Sequence, residues 1–221
     1  MTEPDFLTAT RTAYDDAAAH YAEILPERFH ANPLNYAMIS AFAELVRADG
    51  DGLVADAGCG PGHVTAYLRS LGVTAFGVDL SPEMIVLARD AYPELRFEVG
   101  LMDALRAEDA SLAGVLANYS ILHIPPERLP ATLTEFHRVL APGGHLLLGF
   151  PAYDDPAELA KAFDHPTALA YQYSPDRLAA LLLQAGFAEV ARLLIAPRED
   201  SKLGISHAYL LARRTAPGPR A

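Results

Sequence analysis

The stretch Asp56-Ala57-Gly58-Cys59-Gly60-Pro61-Gly62 constrains this chain more than any other. It closes an apolar run at residues 53–57, which predicts a buried strand, and it precedes residues 64–71, whose spacing predicts a helix. Glycines at three alternate positions let the backbone turn sharply and come close to a ligand. A second strand, predicted over 74–78, leads into Asp79, which stands 21 residues after Gly58. An acid at that place can accept both hydroxyls of a ribose. The combination predicts a sheet that holds a nucleoside at its strand ends.

The alternation continues beyond this opening. A helix is predicted over 82–91, with Ser81 as its cap and Pro82 in its first position. Strands follow at 96–99 and 114–119, then a helix at 127–140 that stops at Pro142-Gly143-Gly144, then a strand at 145–150. Alternating strands and helices imply a doubly wound, mostly parallel α/β sheet. Apolar runs with little polar alternation fit strands buried on both faces.

The flanks read differently. Residues 5–24 carry apolar positions at helical spacing, and Pro26 is expected to end that helix. Pro33 opens a second helix that ends at the Asp49-Gly50-Asp51-Gly52 cluster. Residues 153–173 are polar, punctuated by prolines and rich in Tyr and His. Ser174-Pro175-Asp176 starts a helix running to Gln184, and strands at 187–195 and 207–212 form an antiparallel hairpin, since no helix separates them. The expected organisation is a single domain over 1–221, with a helical lid (1–49), a ligand-binding core (53–150), a cap insert (151–173) and a C-terminal helix and hairpin (174–213). The tail at 215–221, rich in Pro and Gly, reads as disordered.

Composition narrows the function. The 221 residues are 51% hydrophobic, enough for a large core, and carry a net charge of -11. Acid excess argues against a partner made of nucleic acid, whose phosphates bind Lys and Arg, and against anionic membranes. One cysteine excludes a disulfide framework. The eight histidines show no H-x-x-x-H pairing and the acids do not gather at strand ends, so no metal is expected. The first twenty residues hold Glu3, Asp5, Asp15 and Asp16 and no apolar run, so the chain reads as soluble and cytoplasmic with Cys59 reduced.

Which nucleoside ligand is meant can be narrowed too. The dinucleotide fingerprint G-x-G-x-x-G, started at Gly58, wants its third glycine at 63, which is His63. There is also no G-x-x-x-x-G-K-[ST]. An adenosine with a short charged amino-acid arm fits better than a pyrophosphate. Here the chain resembles the class I S-adenosylmethionine-dependent methyltransferases over nearly its whole length. The matching pieces are VADAGCGPGHVTAYL, FGVDLSPEMIVLAR, FHRVLAPGGHLLLGF and YSPDRLAALLLQAGFAEV, and YDDAAAHYAE resembles their lid helix. The resemblance implies a Rossmann-like fold and S-adenosylmethionine as cofactor. It implies that Gly58, Gly60 and Gly62, with Cys59 in the same turn, approach the methionine part, and that Asp79 holds the ribose. Leu80 and Met84 would pack on the adenine. Leu101 and Met102 would cover its other face and offer backbone groups, Leu101 standing where the family often has an acid. Asn118 would help hold the amino group through its carbonyl, and Tyr14 and Tyr21 would close over the carboxylate and the donor methyl.

Methyl transfer from a sulfonium is an in-line displacement in which alignment and exclusion of water matter most. A general base is needed only when the acceptor carries a proton near neutral pH. His123, just past the fourth strand, is the candidate for that catalytic role. Candidates for binding the acceptor are Arg28, Asn32, Tyr153, His165, Tyr171 and Tyr173, with Tyr21 beside them. Arg28 suits a carboxylate or phosphate, or pairs with Glu23 or Glu27. The expected activity is O- or N-methylation of a small molecule. A non-catalytic donor-binding or partner protein of the same fold is a second class, and a nicotinamide-dependent oxidoreductase, disfavoured by His63 and the terminal hairpin, is a third.

Overall fold

The computed structural model describes residues 5–30, 33–50, 52–197 and 204–215. Two helices lead, α1 (Asp5–His30) and α2 (Pro33–Ala48). The alternating part follows as β1 (Val54–Ala57), α3 (His63–Ser70), β2 (Ala75–Asp79), α4 (Pro82–Ala91), β3 (Arg96–Val99), β4 (Leu112–Asn118), α5 (Leu129–Val139) and β5 (Leu140–Ala152). A short hairpin, β6 (Ala160–Phe163) and β7 (Ala170–Tyr173), precedes α6 (Pro175–Gln184), β8 (Phe187–Ile195) and β9 (Ser206–Arg214).

Strands β3, β2, β1, β4 and β5 lie side by side in that order, all parallel. β9 adds antiparallel to β5, and β8 antiparallel to β9, so the terminal hairpin is as the sequence predicts. Alternate residues divide the core between two faces. Ala55, Ala57, Val115, Ala117, Leu146 and Leu148 face α5 and α6, while Val54, Leu116, Leu147, Tyr209 and Leu211 face α2 and α3. The fold is the mostly parallel, doubly wound Rossmann-like class with the expected C-terminal hairpin. The chain leaves β1 towards β2 and β3, then returns to β4 on the other side. The gap between β1 and β4 at their carboxyl ends is therefore the switch point where such sheets bind ligands.

Two local expectations are corrected. Pro26 lies inside α1 and does not end it. A proline within a helix costs about 3 kcal/mol, and the final turn is held by Phe29, which is buried against Tyr36, His63 and Tyr67 at ring distances of 4.5, 5.5 and 5.5 Å. Burying a Phe side chain offsets that cost by about 1.5–3 kcal/mol. Within the insert β6 and β7 pair from Ala160↔Tyr173 to Phe163↔Ala170, and β7 joins the sheet at the end of β5 through Ala152↔Tyr173. Strand β4 ends one residue early, because Tyr119 has φ 53°. Residues 216–221 of the tail lie outside the described residues.

Candidate active site

The strand ends open into a cavity of about 920 Å³. Its floor is the turn after β1, and its roof is α1. Small-molecule sites span roughly 300–1,000 Å³, so this one has room for a two-part ligand set.

At the β1–β2 end the backbone does the work. Gly60 has φ 53°, and a Cβ placed there would meet nothing within 4 Å, so the turn leaves an open cradle over its backbone. The Gly60 N–H donates to Asp79 Oδ2 at 2.8 Å and the Ser81 N–H to Asp79 Oδ1 at 2.9 Å. A carboxylate has roughly four lone-pair positions, so acceptor capacity for two ribose hydroxyls remains after these bonds. Burial pushes the Asp79 carboxyl up, and the Ser81 and Gly60 N–H groups pull it back. Behind it Asp56 accepts the Thr65 hydroxyl at 2.6 Å. Burial is the main cause that pushes Asp56 up to about 7, with the charge of Asp79 adding to it. Gly58, Cys59, Leu80, Met84, Leu101, Met102 and Asn118 all line this cavity. Burial also pushes the Cys59 thiol up, so it stays protonated. Gly62 does not line it. Its φ of 85° packs the start of α3 against β3, where a Cβ would lie 2.7 Å from Phe97.

α1 is tied over the cavity by side chains from three elements. Asp15 accepts the Ser81 hydroxyl at 2.5 Å and the Glu83 N–H at 3.3 Å, which fixes the helix on the cap of α4. The Tyr21 hydroxyl meets Thr167 Oγ1 at 2.6 Å in the β6–β7 connection. Tyr14 reaches His123 Nε2 at 2.7 Å, and His123 Nδ1 lies 2.8 Å from the Leu169 carbonyl. A carbonyl only accepts, so Nδ1 carries the proton and Nε2 accepts from the Tyr14 hydroxyl. Burial pushes His123 down to about 4 and holds it neutral, while burial pushes Tyr14 above its ordinary value.

The structure brings some expected acceptor residues together and disperses others. His165 lines the cavity beside His123, with ring centroids 5.3 Å apart. Tyr153 is turned outwards to Glu158 at 3.2 Å. Tyr171 packs against the core, and Tyr173 is fully buried with its hydroxyl donated to the Ile124 carbonyl. None of these three tyrosines lines the cavity: Tyr171 and Tyr173, on β7, pack against the core, and Tyr153, just past β5, bonds Glu158. Asn32 and the side chain of Arg28 lie outside the described residues. Cavity residues that the sequence did not single out include Asn35, Asp56, Tyr119, Phe163 and His207. Asp56 had a usable signal, as the acid inside the glycine motif; the others carry none at sequence level. Among the described residues no three His, Cys, Asp or Glu side chains gather to hold a metal, and no helix is long and apolar enough to cross a membrane.

A switch-point cavity with an acid at the end of β2 and a glycine cradle after β1 defines a nucleoside-binding α/β protein of the Rossmann-like class. The family pattern described as a methyltransferase domain matches residues 54–144. The malonyl-[acyl-carrier protein] O-methyltransferase of Erwinia billingiae is 32% identical over 73% of this chain and 70% of its own length. The protein of the same name from Pectobacterium atrosepticum is 32% identical over 55% of this chain, and the match spans only 52% of that relative's length. Among solved structures, the 1,6-didemethyltoxoflavin-N1-methyltransferase of Burkholderia thailandensis, with bound 1,6-didemethyltoxoflavin and S-adenosylhomocysteine, superposes with TM-score 0.74. It is 26% identical, over 98% of this chain and 92% of its own. This chain belongs to the class I S-adenosylmethionine-dependent methyltransferase family, and S-adenosylmethionine is its cofactor.

Proposed function

We propose that this protein moves a methyl group from S-adenosylmethionine to an oxygen or nitrogen of a small-molecule acceptor, acting as one domain over 1–221. The observation that carries the reading is Asp79, anchored by two N–H groups beside the open Gly60 turn, on the floor of a cavity with room for a second molecule. Gly58, Gly60 and Asp79 would hold the donor's methionine and ribose parts, with Leu80, Met84, Leu101 and Met102 around its base. The bound cofactor supplies an electrophilic methyl on a positively charged sulfur. The chain supplies alignment and a dry site: α1 roofs the cavity through Tyr14, Asp15 and Tyr21, which excludes water.

His123 has a narrower part in this reading than that of a free base. A proton leaving the acceptor reaches Nε2 only by way of Tyr14: the Tyr14 oxygen takes it as the Tyr14 proton moves to Nε2. With His123 held at about 4, the imidazolium formed at pH 7 costs about 4 kcal/mol. General-base catalysis contributes roughly 10²–10⁴-fold, a gain of similar size, so alignment of acceptor and donor carries most of the rate. His123 is thus proposed chiefly to position Tyr14.

Isothermal titration with S-adenosylhomocysteine and with NADH tests the cofactor half. Binding is expected for the first alone, and heat with NADH alone overturns the reading. Transfer of a labelled methyl group to extracted small metabolites tests the other half. A donor that binds while no acceptor is ever labelled would leave a non-catalytic protein of the same fold.

A further inference from the structure

The side of the cavity away from Asp79 contains two polar atoms with nothing to bond. Asn35 Oδ1 and His207 Nδ1 are buried and lack a hydrogen-bond partner, and both residues line the cavity. Asn35 is 8% exposed, on the first turn of α2. An unpartnered buried polar atom costs about 1–3 kcal/mol and native structures hold few of them.

Topology places these two atoms at one level. Asp49, just past the end of α2, bonds His145 Nε2 at 2.9 Å at the start of the ordered run of β5, so α2 runs antiparallel to β5. From Asp49 back to Asn35 is about 21 Å of helix, and from His145 forward to Pro151 is about 20 Å of strand. His207 pairs with Pro151 and shares the α2-facing side of β9 with Tyr209 and Leu211. Asn35 and His207 therefore lie at the same level near the carboxyl edge of the sheet, over the same face, and both line the cavity.

Tyr119 completes the group. Alternation along β4 would send it to the opposite face, and its φ of 53° brings it onto the α2 side instead, with its ring 5.4 Å from His207. Such backbone strain in a non-glycine residue costs about 1–3 kcal/mol and gathers at functional sites. Ile195 and Ile205 add apolar walls. Burial pushes His207 down, so the ring is neutral and the group carries no formal charge.

We propose that Asn35 and His207 recognise the acceptor, binding the polar edge of an uncharged planar heterocycle, of amide, lactam or imide type, that lies against Tyr119. Such an edge presents a donor and an acceptor side by side, which suits a side-chain amide and a neutral imidazole. The inference rests on the methyl-transfer reading for its purpose, and on the cavity alone for its chemistry.

Lumazine, a planar bicyclic imide, is the probe, with 2-naphthoate as a planar acid of similar size. Both are titrated into the protein with and without S-adenosylhomocysteine. Lumazine is expected to bind and naphthoate not. Asn35→Leu and His207→Phe should each weaken lumazine about 3- to 10-fold while leaving S-adenosylhomocysteine affinity unchanged. In the free protein each variant should raise the melting midpoint by about 2–4 °C, since an orphaned polar group is replaced by an apolar one of similar shape. Unchanged lumazine affinity in both variants, preference for naphthoate, or lowered midpoints in both overturns the proposal. Loss of S-adenosylhomocysteine binding with variant-sensitive lumazine binding retained sinks the donor reading and leaves this pair standing.

Discussion

The two ends of the cavity are built in different ways. The end proposed for the donor consists of backbone and one carboxylate, supplied by neighbouring strand ends: Gly60 and Asp79 are 19 residues apart in the chain, and Ser81 only two from Asp79. The end proposed for the acceptor is assembled from side chains of distant elements. Tyr14 meets His123 across 109 residues, and Tyr21 meets Thr167 across 146. A backbone turn clamped by its own strands has one shape. A wall made by several separate elements can be altered one side chain at a time. The difference teaches where specificity for an acceptor can change without loss of the donor site.

The comparison can be broken most directly at Asp79. Asp79→Ala removes a charged acceptor for two ribose hydroxyls at about 1.5–3 kcal/mol per bond, so S-adenosylhomocysteine should bind more than ~100-fold more weakly by calorimetry. An unchanged affinity would place the donor elsewhere. Next in size is His123→Ala, which should lower turnover roughly 10- to 100-fold while donor affinity moves less than about threefold. Tyr14→Phe should cost a similar factor, and the double variant no more than either alone, because the two groups act as a unit. Additive losses would separate them.

A pH experiment sharpens the contrast. Asp56 is raised to about 7 in the fold, so the native state holds its proton longer than the unfolded chain, and its contribution to stability is lost as pH rises from about 4 through 7. His123 is lowered to about 4, so its contribution is present above its unfolded value near 6.5 and lost as pH falls through 4. The two slopes oppose each other between about pH 4 and 6.5. Asp56→Asn should therefore make stability fall towards acid, and His123→Phe should make it fall towards neutrality, each by at most about 1.4 kcal/mol per pH unit. Urea midpoints measured at several pH values read this, and parallel slopes in both variants would contradict it. Smaller still, Tyr21→Phe should loosen the roof by about 0.5–1.5 kcal/mol, seen as faster proteolysis of α1 with donor affinity nearly kept. Tyr153→Phe should change stability and turnover by no more than about 0.5 kcal/mol, since its hydroxyl is turned to solvent beside Glu158.

The donor end was legible because its signals are local. A glycine at 60 and an acid at 79 announce a turn and a strand end before any folding is considered, and the parallel sheet follows from apolar runs alternating with helical ones. The acceptor end was read less well. Tyr153, Tyr171 and Tyr173 were attractive for their type, yet β7 buries Tyr173 and packs Tyr171 on the core, while Tyr153, just past β5, bonds Glu158 away from the cavity. Pro26 carries the usual signal of a helix end, and the packing of Phe29 overrides it.

Residue order alone thus settled the class of sheet, the switch point and the turn and acid that line it, since each depends on conformational preferences and burial patterns spanning about twenty residues. Packing settled the rest: that Tyr14 caps His123, that Asp15 and Tyr21 tie down α1, and that Asn35 and His207 line one cavity with polar atoms that lack partners. Those facts depend on how α2, β9 and the β6–β7 hairpin stack on the sheet, and no local pattern encodes the distance between elements that meet only after the chain has closed.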